Sequence, residues 1–213
     1  MEISIDLETF GVNTQAPIVQ LGAVAFDLNT GDIASQFEVT INLQSALLTG
    51  GRLDVSTSDW WKTQSKEARD SITEGRQAHI FEVLNEFCEW AENLEDKHGP
   101  MNFWAKGPGD DLAWLRGAYE RCGIPEPWKF NQARDLRTLI QVAEAKGWQR
   151  SRAPVAHTAL LDAAAQAKEI VSAWKWIIND EDRVRQEIVQ EMEKDIGPQP
   201  WGTVLPAGSP KPV

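Results

Sequence analysis

The chain has 213 residues, of which 42% are hydrophobic and 25% charged, a composition typical of globular domains and unlike that of disordered or fibrous proteins. It contains no apolar run of the ~20 residues that would span a bilayer, its N-terminus carries Glu2 and Asp6 where a signal peptide carries Lys or Arg, and Cys88 and Cys122 form no CxxC motif. We therefore expect a cytoplasmic protein without a membrane partner. The net charge of -11 disfavours extended electrostatic binding of nucleic acid, although bound divalent cations would reverse that sign locally.

The N-terminal part of the chain predicts three strands. Glu2 to Leu7 alternates apolar and polar residues with the period of a half-buried strand. The apolar segments Ile18 to Phe26 and Phe37 to Leu43 predict two more strands, and the Asn-Thr-Gly sequence at 29–31 between them is typical of a hairpin turn.

The remainder of the chain alternates helical patterns with one short apolar run. Predicted helices cover Ser58 to Ala68, Ala78 to Glu95, Asp110 to Cys122, Leu136 to Ala145 and Thr158 to Ile178, and Met101 to Ala105 is a predicted strand. Early strands followed by alternating strand and helices indicate an α/β fold with a mixed central sheet flanked by helices.

We expect one domain over residues 1–196. Its last segment, Asp180 to Asp195, holds seven acidic residues against three basic ones. The tail from Gly197 onward contains five of the eleven prolines, which predicts a disordered tail or an extended strap rather than a second fold.

Two acidic residues on the first strand form the first candidate site. Asp6 and Glu8 are two residues apart, so their side chains project from the same face and could share one hard cation. A solvated acidic pair at the end of a strand is the alternative explanation for the same pattern.

His157 and Asp162 form the second candidate site. Five residues of helix would rotate their side chains by about 140° relative to each other, so His157 must lie at or before the helix start, from where it could lean over a metal bound by Asp162. Taken alone, a histidine at a helix start is more often structural.

The third candidate is an aspartate at the start of a helix. Asp110 and Asp111 follow the Gly-Pro-Gly break at 107–109, where either could cap the helix or interact favourably with its dipole. The residues by themselves leave the choice between these neighbours open.

The order of these parts resembles the DEDDh family of metal-dependent 3'-to-5' exonucleases, which have a ribonuclease H-like fold. Ile5 to Thr9 is similar to the first family motif, Lys106 to Leu115 to the second, and His157 to Asp162 to the third. Aligning the second motif through its leucines favours Asp111 over Asp110.

Within this family, the chain is most similar to the exonuclease VIII-like branch common in phages and prophages. This likeness rests on the Asp-Leu-Glu-Thr start, on Trp60, Trp61 and Gln64, and on the segment Arg134 to Leu139.

Four carboxylates suit two Mg²⁺ or Mn²⁺ ions roughly 4 Å apart, one activating water and the other stabilising the leaving 3'-oxygen, with release of nucleoside 5'-monophosphates. The resemblance implies that Asp6 contacts both ions, that Glu8 and Asp162 hold the water-activating ion, and that Asp111 holds the other. It also implies that His157 is the general base.

The expected partners are DNA or RNA 3' ends, with the terminal nucleotide lined by Thr9 and Phe10 because these residues directly follow the strand acids. Since Trp60 and Trp61 are adjacent, at most one should reach substrate, and core packing is the favoured explanation for both. A second copy of this chain, forming a homodimer, is a further expected partner.

Two other functions fit the same residues. A phosphodiesterase for short oligonucleotides would need few phosphate contacts outside the metals, which suits the negative charge. A metal-dependent module that binds nucleic acid without cleaving it could recruit partners through the acidic segment Asp180 to Asp195.

Overall fold

The computed structural model describes residues 1–74, 77–107, 109–151, 158–179, 184 and 188–191. The chain divides into two compact units, Met1–Ile177 and Ile178–Val213. The tail 197–213 and most of the acidic segment 180–195 lie outside the described residues. The domain end at residue 196 therefore remains a prediction.

The first unit contains a six-stranded mixed sheet with the order β4-β3-β2-β1-β5-β6. The first three strands pair antiparallel, whereas β5 is parallel to β1, β6 to β5, and β4 to β3. The strands are β1 (Glu2–Thr9), β2 (Ile18–Phe26), β3 (Ile33–Ile41), β4 (Gln77–Ala78), β5 (Asn102–Ala105) and β6 (Ala133–Asp135).

Helices cover both faces of the sheet. They are α1 (Leu43–Leu48), α2 (Val55–Thr63), α3 (Lys66–Ser71), α4 (Ile80–His98), α5 (Asp111–Cys122), α6 (Leu136–Ala145) and α7 (Ala159–Ile178). Helices α4 and α5 pack on the face formed by Ile3, Ile5 and Leu21, and α6 and α7 pack on the opposite face against Val24, Phe26 and Trp104. This architecture confirms the predicted α/β class. Within the described ranges, no helix is both long enough and apolar enough to cross a bilayer.

The strand β1 is buried on both faces, so the prediction of a half-buried strand was wrong. Ser4, on its polar face, is completely buried. The reason is that β1 lies in the middle of a sheet with helices on both sides, so the alternation separates two packed layers instead of a core from solvent. Among the acids of β1, Glu2 and Glu8 are consequently buried and Asp6 is partly buried.

The other differences concern the ends of elements and a few short elements. The third strand covers residues 33–41 rather than 37–43, because Asn42 caps a new helix and its side chain accepts the Ser45 N–H. The helix predicted over 58–68 is two helices, each with its own N-cap, Asp54 and Ser65. The three-residue edge strand β6 was not predicted.

The predicted hairpin between β2 and β3 is confirmed. The Asp27 carboxylate accepts the N–H groups of Asn29 and Thr30, and Gly31 has a φ of 89°. Glycine adopts this left-handed conformation without steric cost, which lets the chain reverse within a few residues.

Candidate active site

Asp6 and Glu8 lie near the C-terminal end of β1, on the face of the sheet that α7 covers. In the antiparallel register, Asp6 lies opposite Gly22 and Glu8 lies opposite Gln20 on β2. Since cross-strand partners face the same side of a sheet, these four residues form one patch on that face. The predicted convergence of the two acids follows directly from the strand period.

Two residues of β2 determine where α7 begins. A Cβ at Gly22 would lie 2.2 Å from the backbone carbon of Ala159 and from the Leu160 nitrogen, so only glycine permits this close approach. Beside it, the Gln20 side-chain oxygen accepts the Ala159 N–H at 2.9 Å in a buried hydrogen bond. The N-terminus of α7 is thereby held directly on the sheet.

This placement brings Asp162, in the first turn of α7, to the acids of β1. Asp6, Glu8 and Asp162 each offer a carboxylate oxygen, and these oxygens all lie within 4.8 Å of one another. One turn further along α7, the Gln166 amide donates to Asp6 Oδ1 at 2.6 Å.

Asp111 approaches the same place from the other side of β1. It is the first residue of α5, is only 8% exposed, and its carboxylate accepts a hydrogen bond from the Leu7 backbone. Its neighbour Asp110 instead pairs with Arg137, whose Nη2 lies 3.2 Å from Asp110 Oδ2. Of the two aspartates that the residues alone could not separate, Asp111 lies next to β1.

Burial and neighbouring negative charges raise the pKa values of Asp6, Glu8 and Asp111. Burial, followed by the charges of Asp111, Glu8 and Asp162, raises the pKa of Asp6 well above its usual range. Burial and then the charges of Asp162 and Asp111 raise the pKa of Glu8 to about 8. The pKa of Asp111 is raised to about 7, mainly by burial and then by Asp110.

The electrostatics fit a cation site. Glu8 and Asp111 are buried and Asp6 and Asp162 are partly buried. Carboxylates this close together repel one another when they are ionised, and a cation between them would offset that repulsion. Carboxylate oxygens are the ligands that hard divalent cations such as Mg²⁺ and Mn²⁺ prefer. The residues that would hold such ions are the four acids Asp6, Glu8, Asp111 and Asp162.

A cleft of about 510 Å³ adjoins Glu8. Trp61 is only 3% exposed, and its indole N–H donates to the Thr9 carbonyl at 2.9 Å, whereas Trp60 is 43% exposed. Phe10 packs with its ring centroid 6.1 Å from that of Trp61. The cleft is lined by Leu7, Glu8, Thr9, Gly11, Val12, Ser56, Thr57, Trp60, Trp61 and Trp114.

The adjacent tryptophans therefore have different environments. Trp61 packs in the core, as expected. Trp60 does not, because it is exposed and lines the cleft. Thr9 also lines this cleft, while Phe10 contacts the small apolar cluster that includes Trp61 and Val19.

His157 lies outside the described residues, so its role remains a prediction from its position before α7. The sequence interpretation missed Gln166, although its spacing of four residues from Asp162 places both on one helix face. It also missed Gln20 and Gly22, whose signal is a polar residue and a glycine two residues apart within an apolar strand.

Several known proteins are similar to this chain in sequence or in architecture. An exodeoxyribonuclease of Enterobacteria phage T4 is 27% identical over 158 residues, which are 64% of this chain and 69% of the phage protein. The nuclease domain of 3'hExo, a DEDDh family member solved with bound rAMP, aligns with a TM-score of 0.55 at 14% identity, over 81% of this chain and 90% of that chain. Cell-death related nuclease 4 aligns with a TM-score of 0.54 at 17% identity, over 83% of this chain and 63% of that chain.

The solved structures establish the fold, which is the ribonuclease H-like fold of DEDDh exonucleases, as the resemblance of the motifs implied. The 3'-5' exoribonuclease Rv2179c-like domain family matches residues 1–176, which include both β1 acids, Asp111 and Asp162. Because this match spans most of the chain, the protein belongs to the Rv2179c-like family of 3'-5' exonuclease domains and is a nuclease of the hydrolase class.

Proposed function

We propose that this protein removes nucleotides one at a time from nucleic-acid 3' ends and releases nucleoside 5'-monophosphates, using two Mg²⁺ or Mn²⁺ ions. The observation that carries the proposal is the convergence of Asp6, Glu8 and Asp162, whose carboxylate oxygens lie within 4.8 Å of one another. Asp111 adds a fourth carboxylate, which is buried and whose charge acts on both β1 acids.

Each acid has a distinct place in the proposed mechanism. Asp6 lies among the other three and would contact both ions, Glu8 and Asp162 would hold one of them, and Asp111 would hold the other. Bound divalent ions supply an activated water molecule and stabilise the charge that develops on the leaving oxygen. Carboxylates that hold a cation are weak bases, so the four acids would position the reaction and another group would accept the proton of water.

His157 is the proposed general base. A neutral imidazole near pH 7 can take a proton from water. Its place in the sequence, two residues before α7 begins beside Gln20, supports this role because the first turn of α7 carries Asp162.

The cleft beside Glu8 is the proposed site of the terminal nucleotide. Thr9 lines it, and the exposed ring of Trp60 offers a surface on which a base can stack without its identity being read. Phe10 is proposed to support this site through Trp61, because it directly follows Thr9 and packs on Trp61, which lines the cleft. A free 3' end, rather than an internal bond, is the expected substrate.

Both DNA and RNA 3' ends are proposed as substrates. The description of the matching family names an exoribonuclease, which acts on RNA. The phage T4 relative is named an exodeoxyribonuclease, which acts on DNA. A phage relative also supports the proposed placement in the exonuclease VIII-like branch.

We further propose a cytoplasmic location. We also propose a homodimer, which a measurement of the molecular mass by light scattering would test.

A phosphodiesterase acting on short oligonucleotides is the second candidate. The net charge of -11 favours it, because a short substrate needs few phosphate contacts outside the four acids. Comparing the cleavage rates of dinucleotides and long strands at the same concentration distinguishes the two activities.

The test is a digest of 5'-labelled DNA and RNA, single and double stranded, with Mg²⁺ or Mn²⁺. We expect a ladder of strands shortened from the 3' end, nucleoside 5'-monophosphates as product, and no degradation of a circular single strand. Asp162→Asn should abolish turnover without unfolding the protein, and Asp96→Asn, on the exposed face of α4, is the matched control. Binding of labelled strands without any cleavage would refute the proposal and would favour the non-cleaving module.

A further inference from the structure

We propose that Gln166 is a positioning residue that orients the Asp6 carboxylate for cation binding, an inference that rests on the proposed function. Gln166 is on α7 and only 5% exposed, and its amide nitrogen donates to Asp6 Oδ1 at 2.6 Å. It follows Asp162 by four residues, so both side chains leave the helix on the side that faces β1. Helix α7 thereby supplies Asp162 and also holds Asp6 through Gln166.

The hydrogen bond has a fixed direction. An ionised carboxylate only accepts, so in the cation-binding form the nitrogen of the amide must face Asp6, and rotating the amide by half a turn would bring two oxygens together. With Oδ1 held by this donor, the carboxylate plane is restrained. Restraining a ligand before the cation arrives lowers the entropy lost on binding.

The side-chain oxygen of Gln166 also supports a functional role for this residue. Gln166 Oε1 is buried and has no hydrogen-bond partner among the residues that the structure describes. An unsatisfied buried acceptor destabilises the folded protein, and a leucine of similar size would avoid that destabilisation. Packing between α7 and the sheet therefore gives no reason for an amide at this position, whereas the orientation of Asp6 does.

Gln132 is a matched control. It is also buried, its amide nitrogen donates to the Met101 carbonyl at 2.9 Å, and its oxygen accepts the Lys129 N–H. This glutamine joins two backbone segments and contacts none of the four acids. Gln132→Leu should therefore lower the unfolding temperature without changing cation binding.

The experiment measures Mn²⁺ affinity by titration calorimetry on the full chain, together with kcat and KM on a 5'-labelled oligonucleotide. For Gln166→Leu we expect Mn²⁺ affinity and kcat to fall by roughly 10- to 100-fold, the range seen when a residue that orients a metal ligand is removed. The KM for the oligonucleotide should stay near the wild-type value, and Gln132→Leu should retain both affinity and kcat.

If Gln166→Leu does not fold, Gln166→Asn tests the same point, because its shorter side chain keeps the amide but does not reach Asp6. Wild-type Mn²⁺ affinity and kcat in a folded variant would overturn the inference and leave the proposed function intact. A wild-type protein that binds no Mn²⁺ and cleaves no strand would overturn the proposed function and this inference with it.

Discussion

Replacing Glu8 with glutamine should stabilise the protein at high pH when no divalent cation is present. Burial and the charges of Asp162 and Asp111 raise the pKa of Glu8 from 4.5 to about 8. Between these two pH values the folded protein keeps a proton that the unfolded chain has released. Because the folded state then binds more protons, the free energy of unfolding of the wild type falls as the pH rises through this window.

The size of the effect follows from the pKa shift. Each pKa unit is about 1.4 kcal/mol, so the shift of Glu8 from 4.5 to about 8 corresponds to a free energy on the order of 5 kcal/mol. Glutamine has nearly the same shape and does not ionise. The stability difference between Glu8→Gln and the wild type should therefore grow by up to about 1.4 kcal/mol per pH unit across the window.

Urea denaturation in excess EDTA at pH 5 and at pH 8.5 measures this difference. We expect nearly equal stabilities at pH 5 and a clearly more stable variant at pH 8.5, with the order reversed by millimolar Mg²⁺, which the intact site binds better. Glu89→Gln, on the exposed face of α4, is the matched control and should follow the wild-type profile. Parallel pH profiles for Glu8→Gln and the wild type would refute the reasoning, because Glu8 would then ionise alike in both states.

Four further outcomes are expected. Asp111→Ala should reduce the rate of strand shortening far more than Asp110→Ala, and equal, mild effects would place neither aspartate in the site. His157→Ala should lower the rate by roughly 10² to 10⁴ while leaving Mn²⁺ affinity nearly unchanged, and the wild-type rate should fall as the imidazole protonates; a variant rescued simply by more metal would make the histidine a ligand. Gly22→Ala should destabilise the protein by about 1–3 kcal/mol and slow turnover, because its Cβ would lie 2.2 Å from the Ala159 backbone; unchanged urea curves would contradict this. Mn²⁺ should raise the unfolding temperature and EDTA should abolish cleavage, so full activity in excess EDTA would exclude a metal mechanism.

Several features of this protein follow from short-range sequence patterns. The common face of Asp6 and Glu8 requires only the two-residue period of a strand, and the helix over 136–145 has the bounds that its apolar spacing predicts. The hairpin at Gly31 follows from the preference of that turn for glycine. These interactions lie within a few residues of one another, so local patterns determine them.

Other features depend on what packs against each element. The polar side of β1 is buried because α7 covers it, and no pattern within β1 distinguishes a second packed layer from solvent. Likewise, Trp61 is buried and Trp60 exposed because only one of two adjacent helical residues can face Thr9. In both cases the deciding contact comes from a distant part of the chain.

The composition of the site shows the same division. The sequence by itself determined which acids were available and, through the order of the motifs, the exonuclease family to which they belong. The tertiary structure places Asp111, which the motif alignment favoured over Asp110, beside β1, and only the tertiary structure decided that Gln166 contacts Asp6. The physical reason is that these contacts depend on how closely α7 approaches the sheet at Gly22 and on which way α5 leaves β5, and both are set by packing between residues more than 100 positions apart in the chain.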